Sequence, residues 1–405
     1  MSSSPEAEGP GFGPRLALFL TVFVHLLGFG LLLPILPYYA LEYGATGFVV
    51  GLLSSSFSFF QFLFSPFWGR FSDRVGRRPI LLGSLVVTAA SYVVFGLAHS
   101  LPLLFASRIR AGVAGAVLPT AQTYIADTTT PEERTKGMGM IGAALGLGFT
   151  FGPAMGGALS HYGYSVPAFA SAGLAMVAAV VAFFLLPESL PAEARAEAAA
   201  RRKERPALRS AFGDAFAKPA VRPVLLLFFL STLCFSGLEA TFALFGHERY
   251  GLNAANVGYL LGYMGIIIVV MQGGLVGLFA RRFGEPALVR AGFLCLGAGM
   301  IAAATSPPFA WLLVTLAAVA IGNGLASPSL AGLASIATVA AEQGAVLGVY
   351  QALGSLARTV GPSLGGLAFD VVGPTSPLWI GGAVLIGASW FARALPRRGR
   401  SPTPA

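Results

Sequence analysis

One carboxylate lies deep inside an apolar run: Glu239, in Phe235-Ser-Gly237-Leu-Glu239-Ala-Thr-Phe242. An ionisable group in hydrocarbon is expensive, so its presence needs a reason. One reason is proton exchange, with Glu239 trading its proton for a passing cation or for water. The other is structural, a pair with a buried arginine such as Arg358 in a later apolar run. His25, in His25-Leu-Leu-Gly28-Phe-Gly30-Leu-Leu-Leu-Pro34, is a second proton-handling candidate. A histidine binds and releases protons near neutral pH, and a neutral hydrogen-bonded ring is the alternative. Arg108 and Arg110 also lie within an apolar run. Residues two apart leave a helix from nearly opposite faces, so only one of them can face a cavity squarely. Gln122, Tyr124 and Asn323 are smaller polar groups suited to a cavity wall, with Phe235 and Phe242 as apolar lining. Nothing here resembles an active site: the four His are scattered, and there is no nucleophile elbow or phosphate loop. No enzyme activity, metal or cofactor is expected.

The elements that carry these residues follow from composition. Of 405 residues, 55% are hydrophobic and 11% charged, against roughly a quarter charged in soluble domains. That much apolar surface must face lipid. Apolar runs long enough for a ~30 Å hydrocarbon layer occur at 16–40, 47–68, 79–98, 101–125, 137–160 and 165–187. Six more follow at 223–246, 256–279, 287–306, 309–335, 346–369 and 377–395. The polar stretch between the sets contains AEARAEAAARRKERPALR, read as a partly helical linker on the membrane surface. The organisation is a tail at 1–15, a six-helix bundle at 16–187, a linker at 188–222, a second bundle at 223–396 and a tail at 397–405. Cys234 and Cys295 sit in apolar runs and read as small buried thiols.

Charge placement gives the orientation. With both termini cytoplasmic, 22 Lys and Arg fall in inner loops and tails, and Arg249 alone in an outer loop. The net charge of +9 therefore reflects the positive-inside rule and attraction to anionic lipid, and no nucleic-acid partner is expected. The tail before the first run lacks a positive n-region, and that run is too long for a signal peptide, so it is a retained helix. Three Lys beside abundant Arg, Ala and Gly suggest a bacterial gene of high GC content, hence a bacterial plasma membrane. The halves are also related internally. Tyr43-Gly44 recurs as Tyr250-Gly251, Gly69 and Gly76 as Gly277 and Gly284, and Gly152-Pro153 as Gly361-Pro362, offset by 207–209 positions. Two such repeats enclosing a midplane site match a known transporter plan.

Between the second and third runs stands Gly69-Arg-Phe-Ser-Asp73-Arg74-Val-Gly76-Arg77-Arg78-Pro79. Glycine suits a tight turn, and Asp73 would be favourable near the positive N-terminus of a helix from the other half. The segment resembles the signature cytoplasmic loop of the major facilitator superfamily, G-x-x-x-D-R-x-G-R-R. In that family the loop latches the bundles when the carrier opens outward. The second copy has Arg281 where the first has Asp73, so the latch is asymmetric. The resemblance also implies a role for Arg108, four residues before Gly112, and a charge cluster joining Asp127 to Asp73 and Arg77. Gly148, Gly152, Pro153, Gly156 and Gly157 match a helix-kink motif that marks drug/proton antiporters in the family. Span one with spans two to five is similar to tetracycline/proton antiporters and multidrug relatives, although these commonly have an aspartate where this chain has His25.

The resemblance covers residues 16–396 and implies an all-α membrane fold of two pseudo-twofold-related six-helix bundles. A cavity between helices one, four, seven and ten is expected, with Glu239, His25 and Arg108 as the coupling set. The expected function is proton-coupled efflux of a small lipophilic compound by a monomer, with the substrate, protons and lipid as partners. Uptake symport of a metabolite, or a non-transporting membrane sensor, are the alternatives.

Overall fold

Lipid offers no hydrogen bonds to a backbone, so apolar runs of this length are stable only as helices. The structure, a computed structural model, describes residues 12–191, 195, 208–305, 308–338 and 342–395. Most of the linker segment AEARAEAAARRKERPALR, residues 1–11 and residues 396–405 lie outside that set. Among the described residues there are helices and no strands. Span one comprises Phe12–Leu32 and Ile35–Glu42; spans two and three are Gly47–Val75 and Arg77–Gly96. Span four is split into Leu101–Val113 and Val117–Thr128, followed by Pro131–Ser160 and Ser165–Leu185 as spans five and six. A helix at Leu208–Ala217 precedes span seven, Arg222–Tyr250. Span eight runs through Ala254–Val270, a π-helical turn at Met271–Leu275 and Val276–Phe283. Glu285–Thr305, Phe309–Ile336, Gln343–Val372 and Ser376–Phe391 are spans nine to twelve. Ten of the spans are long and apolar enough to cross a membrane. Span eleven is 30 residues long but interrupts its apolar character with Arg358 and Asp370. Span twelve has 16 residues and is extended by a 3-10 turn at Ala392–Ala394.

The repeat inferred from sequence is written into the turns. Among the described residues six glycines adopt positive φ, and they fall into three equivalent pairs: Gly44 with Gly251, Gly76 with Gly284, and Gly163 with Gly373. Each pair ends the same kind of helix in each half, where a side chain would be strained. Twelve crossings bring residues 12 and 395 to one face, called here the terminal face.

Glycines set the distance between helices. Cβ atoms on Gly148, Gly152 and Gly156 of span five would meet Leu26, Gly30 and Leu31 of span one. The next residue, Gly157, faces Ala255 and Gly258 of span eight. Span eleven repeats the pattern, with Gly361 and Gly365 on Ser236 and Gly237 of span seven, and Gly366 on Gly47 of span two. Each motif thus packs one helix against its own bundle and against the other bundle. Small residues allow this because dispersion between close backbones drives helix association in lipid. The helix continues through Pro153 and Pro362 without a break.

Two spans are broken, and the loose ends are handled differently. Span one breaks at Pro34, which has no backbone donor. Span four breaks at Ala114–Ala116, where span two satisfies the freed carbonyls. Gln61 Nε2 donates to the Gly115 carbonyl at 3.2 Å, and the Trp68 indole donates to the Val113 carbonyl.

Several hydrogen bonds join the halves away from the terminal face. Tyr38 donates to the Leu252 carbonyl at 2.8 Å, and the Ser55 and Ser363 hydroxyls meet at 2.8 Å. Glycine contacts between spans five and eight extend this closure from Gly157 back to Gly146, which faces Val269.

Gly152→Val tests the packing. Its Cβ would stand 2.6 Å from the Gly30 Cα, and backbone cannot step aside, so overpacking should cost about 1–3 kcal/mol or more. A markedly lower thermal midpoint in detergent is expected. Gly139→Ala, with open space at its Cβ, should leave the midpoint unchanged or raise it.

Candidate functional site

Where the halves part, they enclose a cavity of about 540 Å³. Spans seven, eight, ten and eleven build most of its wall. The first half contributes only Leu33 and part of span five from Gly142 to Pro153. Span seven presents Phe235, Glu239 and Phe242 to it. Spacings of four and three residues place these side chains on one helix face. Arg358 on span eleven also reaches the wall and is the electrostatic partner of Glu239. Among the described residues no ion pair joins them, and Arg358 instead approaches the Ser355 hydroxyl at 3.5 Å. The acid and base thus face one space without neutralising each other in direct contact.

The rest of the wall is aromatic, aliphatic and neutral-polar. Phe228 stacks on Tyr350 with centroids 3.6 Å apart, giving a flat apolar surface between spans seven and eleven. Asn323, Gln351 and Gln272 bring amide groups to the same space. Gln272 lies in the π-helical turn of span eight, where an extra residue per turn shifts the side chains that follow. Such a wall can hold an apolar molecule and offer it a few hydrogen bonds and one charge of either sign.

Three residues expected at the cavity are not among its lining. Arg110 is exposed, on the helix face opposite Arg108, as their spacing of two requires. Gln122 and Tyr124 follow the break in span four. The Tyr124 hydroxyl donates to the Pro187 carbonyl at 3.0 Å, which fixes it inside the first bundle. Span four as a whole contributes nothing to this wall, whereas spans five, eight and eleven do. The coupling set is also divided. Arg108 is buried, its guanidinium 4.8 Å from the Phe57 ring centroid and 5.6 Å from that of Phe29. Aromatic faces attract a cation most strongly when water is excluded, so these rings answer part of the cost of burying it. His25 is likewise outside the lining, and its Nδ1 is buried without a hydrogen-bond partner. Phe235, Glu239, Phe242 and Asn323 are at the cavity; His25, Arg108, Arg110, Gln122 and Tyr124 are not.

The loop at the terminal face forms the cluster expected of it. Arg77 Nη1 donates to Asp73 at 2.5 Å, and its Nε donates to Asp127 at 2.9 Å. Its Nη1 also reaches the Ser72 hydroxyl at 2.7 Å, while the Gly69 carbonyl accepts from Ser72. Gly76 makes the turn with φ 114°, Arg74 is exposed, and Arg78 lies over the Phe183 ring at 5.3 Å. One participant was not foreseen. Glu188, just after span six, accepts from the Arg77 amide at 2.8 Å and the Arg78 amide at 3.3 Å. It thereby caps the N-terminus of span three, where donors are orphaned and negative charge is favoured. Proximity in sequence gave no sign of it, because 111 positions separate Glu188 from Arg77.

A model of the Major Facilitator Superfamily matches residues 18–362, and again 274–405. Multidrug resistance protein 2 of Bacillus subtilis is 31% identical over 363 residues, covering 87% of this chain and 88% of that protein. The class B tetracycline resistance protein of Escherichia coli is 29% identical over 389 residues, covering 93% and 92%. The crystal structure of the human organic anion transporter MFSD10 superposes with a TM-score of 0.71 at 26% identity, over 95% of this chain and all of that one.

The Glu188 cap carries its own test. Loss of a helix cap costs about 0.5–2 kcal/mol, so Glu188→Ala should lower the thermal midpoint by a few degrees, with Glu188→Gln between it and the parent. An unaltered midpoint in Glu188→Ala would show that water replaces the carboxylate without cost.

Proposed function

Because the chain belongs to the Major Facilitator Superfamily, we propose that it exports small lipophilic compounds by alternating access, in exchange for protons carried by Glu239. The observation that carries this reading is Glu239 on the cavity wall, between Phe235 and Phe242 on one helix face and opposite Arg358. A carboxylate beside a bound substrate can hold a proton or the substrate's positive arm, but holds both poorly. Binding one therefore favours release of the other, and the reciprocal coupling is the basis of exchange. The aromatic wall supports a lipophilic cargo, since burying apolar area is worth about 25 cal/mol per Å². The names of the multidrug and tetracycline resistance relatives favour export over uptake.

The arginine asymmetry supports a cytoplasmic terminal face in a bacterial inner membrane. On that assignment the closed contacts between the halves seal the outer side, and the cavity belongs to an inward-facing state. The Asp73–Arg77–Asp127 cluster is then a gate at the cytoplasmic end, set apart from the cavity. His25 and Arg108, outside the lining, are assigned no contact with substrate.

The test is a susceptibility and accumulation panel of lipophilic cations, anions and neutral compounds in an efflux-deficient bacterial strain. Expression should raise the inhibitory concentration of some compounds several-fold and lower their accumulation. Glu239→Gln should return both to the empty-vector level at equal expression. Raised accumulation on expression would instead identify an uptake symporter. Asp73→Asn should impair export while leaving substrate affinity near the parent value, because the loop biases state populations at a distance from the cavity. Lost affinity in Asp73→Asn would place the loop in substrate binding.

A further inference from the structure

Spans two and eleven run antiparallel, and each ends with a carboxylate: Asp73 in Gly47–Val75 and Asp370 in Gln343–Val372. In this arrangement the C-terminal end of either helix lies level with the N-terminal end of the other. Asp370 uses that position. Its Oδ1 accepts from the Gly47 amide at 2.8 Å, and its Oδ2 from the Phe48 amide at 2.8 Å. Gly47 and Phe48 are the first two residues of span two, so both amides are orphans of the helix start and point along the positive end of its dipole. The third, Val49, is met locally by the Thr46 hydroxyl. The second bundle thus caps a helix of the first.

The cap is the outermost rung of a seam. One turn inward, Gly366 lies on Gly47, and a Cβ on Gly51 would collide with the Pro362 carbonyl. A turn further, the Ser55 and Ser363 hydroxyls meet at 2.8 Å. At the far end of the same helix pair Asp73 pairs with Arg77 of its own bundle at 2.5 Å. Among the described residues the equivalent seam of spans five and eight shows no such cap. His161 occupies the place that Asp370 holds in the other repeat, and span eight is capped within its own half by reciprocal bonds of Asn253 and Asn256. Charge therefore holds one seam at this face and small-residue packing the other.

We propose that Asp370 is a latch for the conformation seen here: its carboxylate must release Gly47 and Phe48 before the cavity can open to the opposite face. It is the counterpart of Asp73, so that the two ends of one helix pair carry opposed latches. Asp370 stands at an exposed rim, where water can take over the freed amides, so the bond biases the equilibrium without locking it. The inference rests on the alternating-access reading but not on proton coupling or on any substrate.

The experiment uses the full chain in nanodiscs with Cys234 and Cys295 replaced by serine. Spin labels at Leu97→Cys and Ala310→Cys, on exposed positions of the two halves at this face, report their separation. The parent should show a dominant short distance. Asp370→Asn keeps the shape but loses the charge and one acceptor, and should raise the long-distance fraction several-fold. Asp73→Asn should lower that fraction, and the double variant should fall between the two. Should a variant be recovered poorly, an impermeant maleimide applied to cells carrying Ser363→Cys gives the same information, with faster labelling expected in Asp370→Asn. An unchanged distribution in Asp370→Asn, while Asp73→Asn shifts it, would overturn the latch and leave alternating access standing. One invariant distance in every variant would overturn both.

Discussion

The cost of an ionised group in hydrocarbon governs where nearly every charge of this protein lies. Among the described residues Lys and Arg gather toward one face, and Arg249 stands toward the other in the last turn of span seven. Several of the charges inside the spans are answered. Arg108 is held between the faces of Phe57 and Phe29, and Arg358 and Glu239 share the cavity wall. Arg77 takes both Asp73 and Asp127 at the end of its helix. A static pair suits a residue that sets structure. A charge left facing an open cavity suits one that must exchange partners during a cycle.

Backbone proximity supplies the second condition. A carrier whose halves rock against each other needs seams that close tightly yet part without leaving large side chains stranded. Glycines at Gly157, Gly258, Gly51 and Gly366 provide this: their contacts are backbone to backbone, shallow and repeated along each seam. The same motifs hold spans five and eleven to spans one and seven, so one helix in each half is both a fixed strut and a moving face. The wall between these seams comes largely from the second half. The proposed proton site and the gate cluster therefore lie in different bundles, and coupling between them must pass through the relative motion of the bundles.

Sequence carried the fold well because its signal is one-dimensional. Apolar length, loop charge and a repeat offset are local properties, and the three pairs of positive-φ glycines are the structural form of that repeat. Glu239 and Asn323 were legible as cavity residues for the same reason, since an unusual polar group in an apolar helix stands out, and Phe235 and Phe242 flank Glu239 in sequence. Arg110, Gln122 and Tyr124 stood out equally but face elsewhere. Arg110 lies on the face opposite Arg108, and Gln122 and Tyr124 follow the break at Ala114–Ala116, which Gln61 and Trp68 of another helix stabilise. Pro119, which has no N–H to donate to the Gly115 carbonyl four residues before it, is the one signal of that break within span four. Glu188 and Asp370 were missed because a cap is defined by the helix it meets, and both meet helices distant in sequence.

The most direct test of the proposed mechanism is substrate accumulation in proteoliposomes under an imposed pH gradient, using a compound exported in cells. The parent protein should accumulate it against its concentration gradient, and the accumulation should collapse when the pH gradient is dissipated. Glu239→Gln should lose uphill movement while still exchanging labelled for unlabelled compound downhill. Uphill accumulation by Glu239→Gln at the parent rate would contradict the account, because proton coupling would then run through some group other than the carboxylate on the cavity wall.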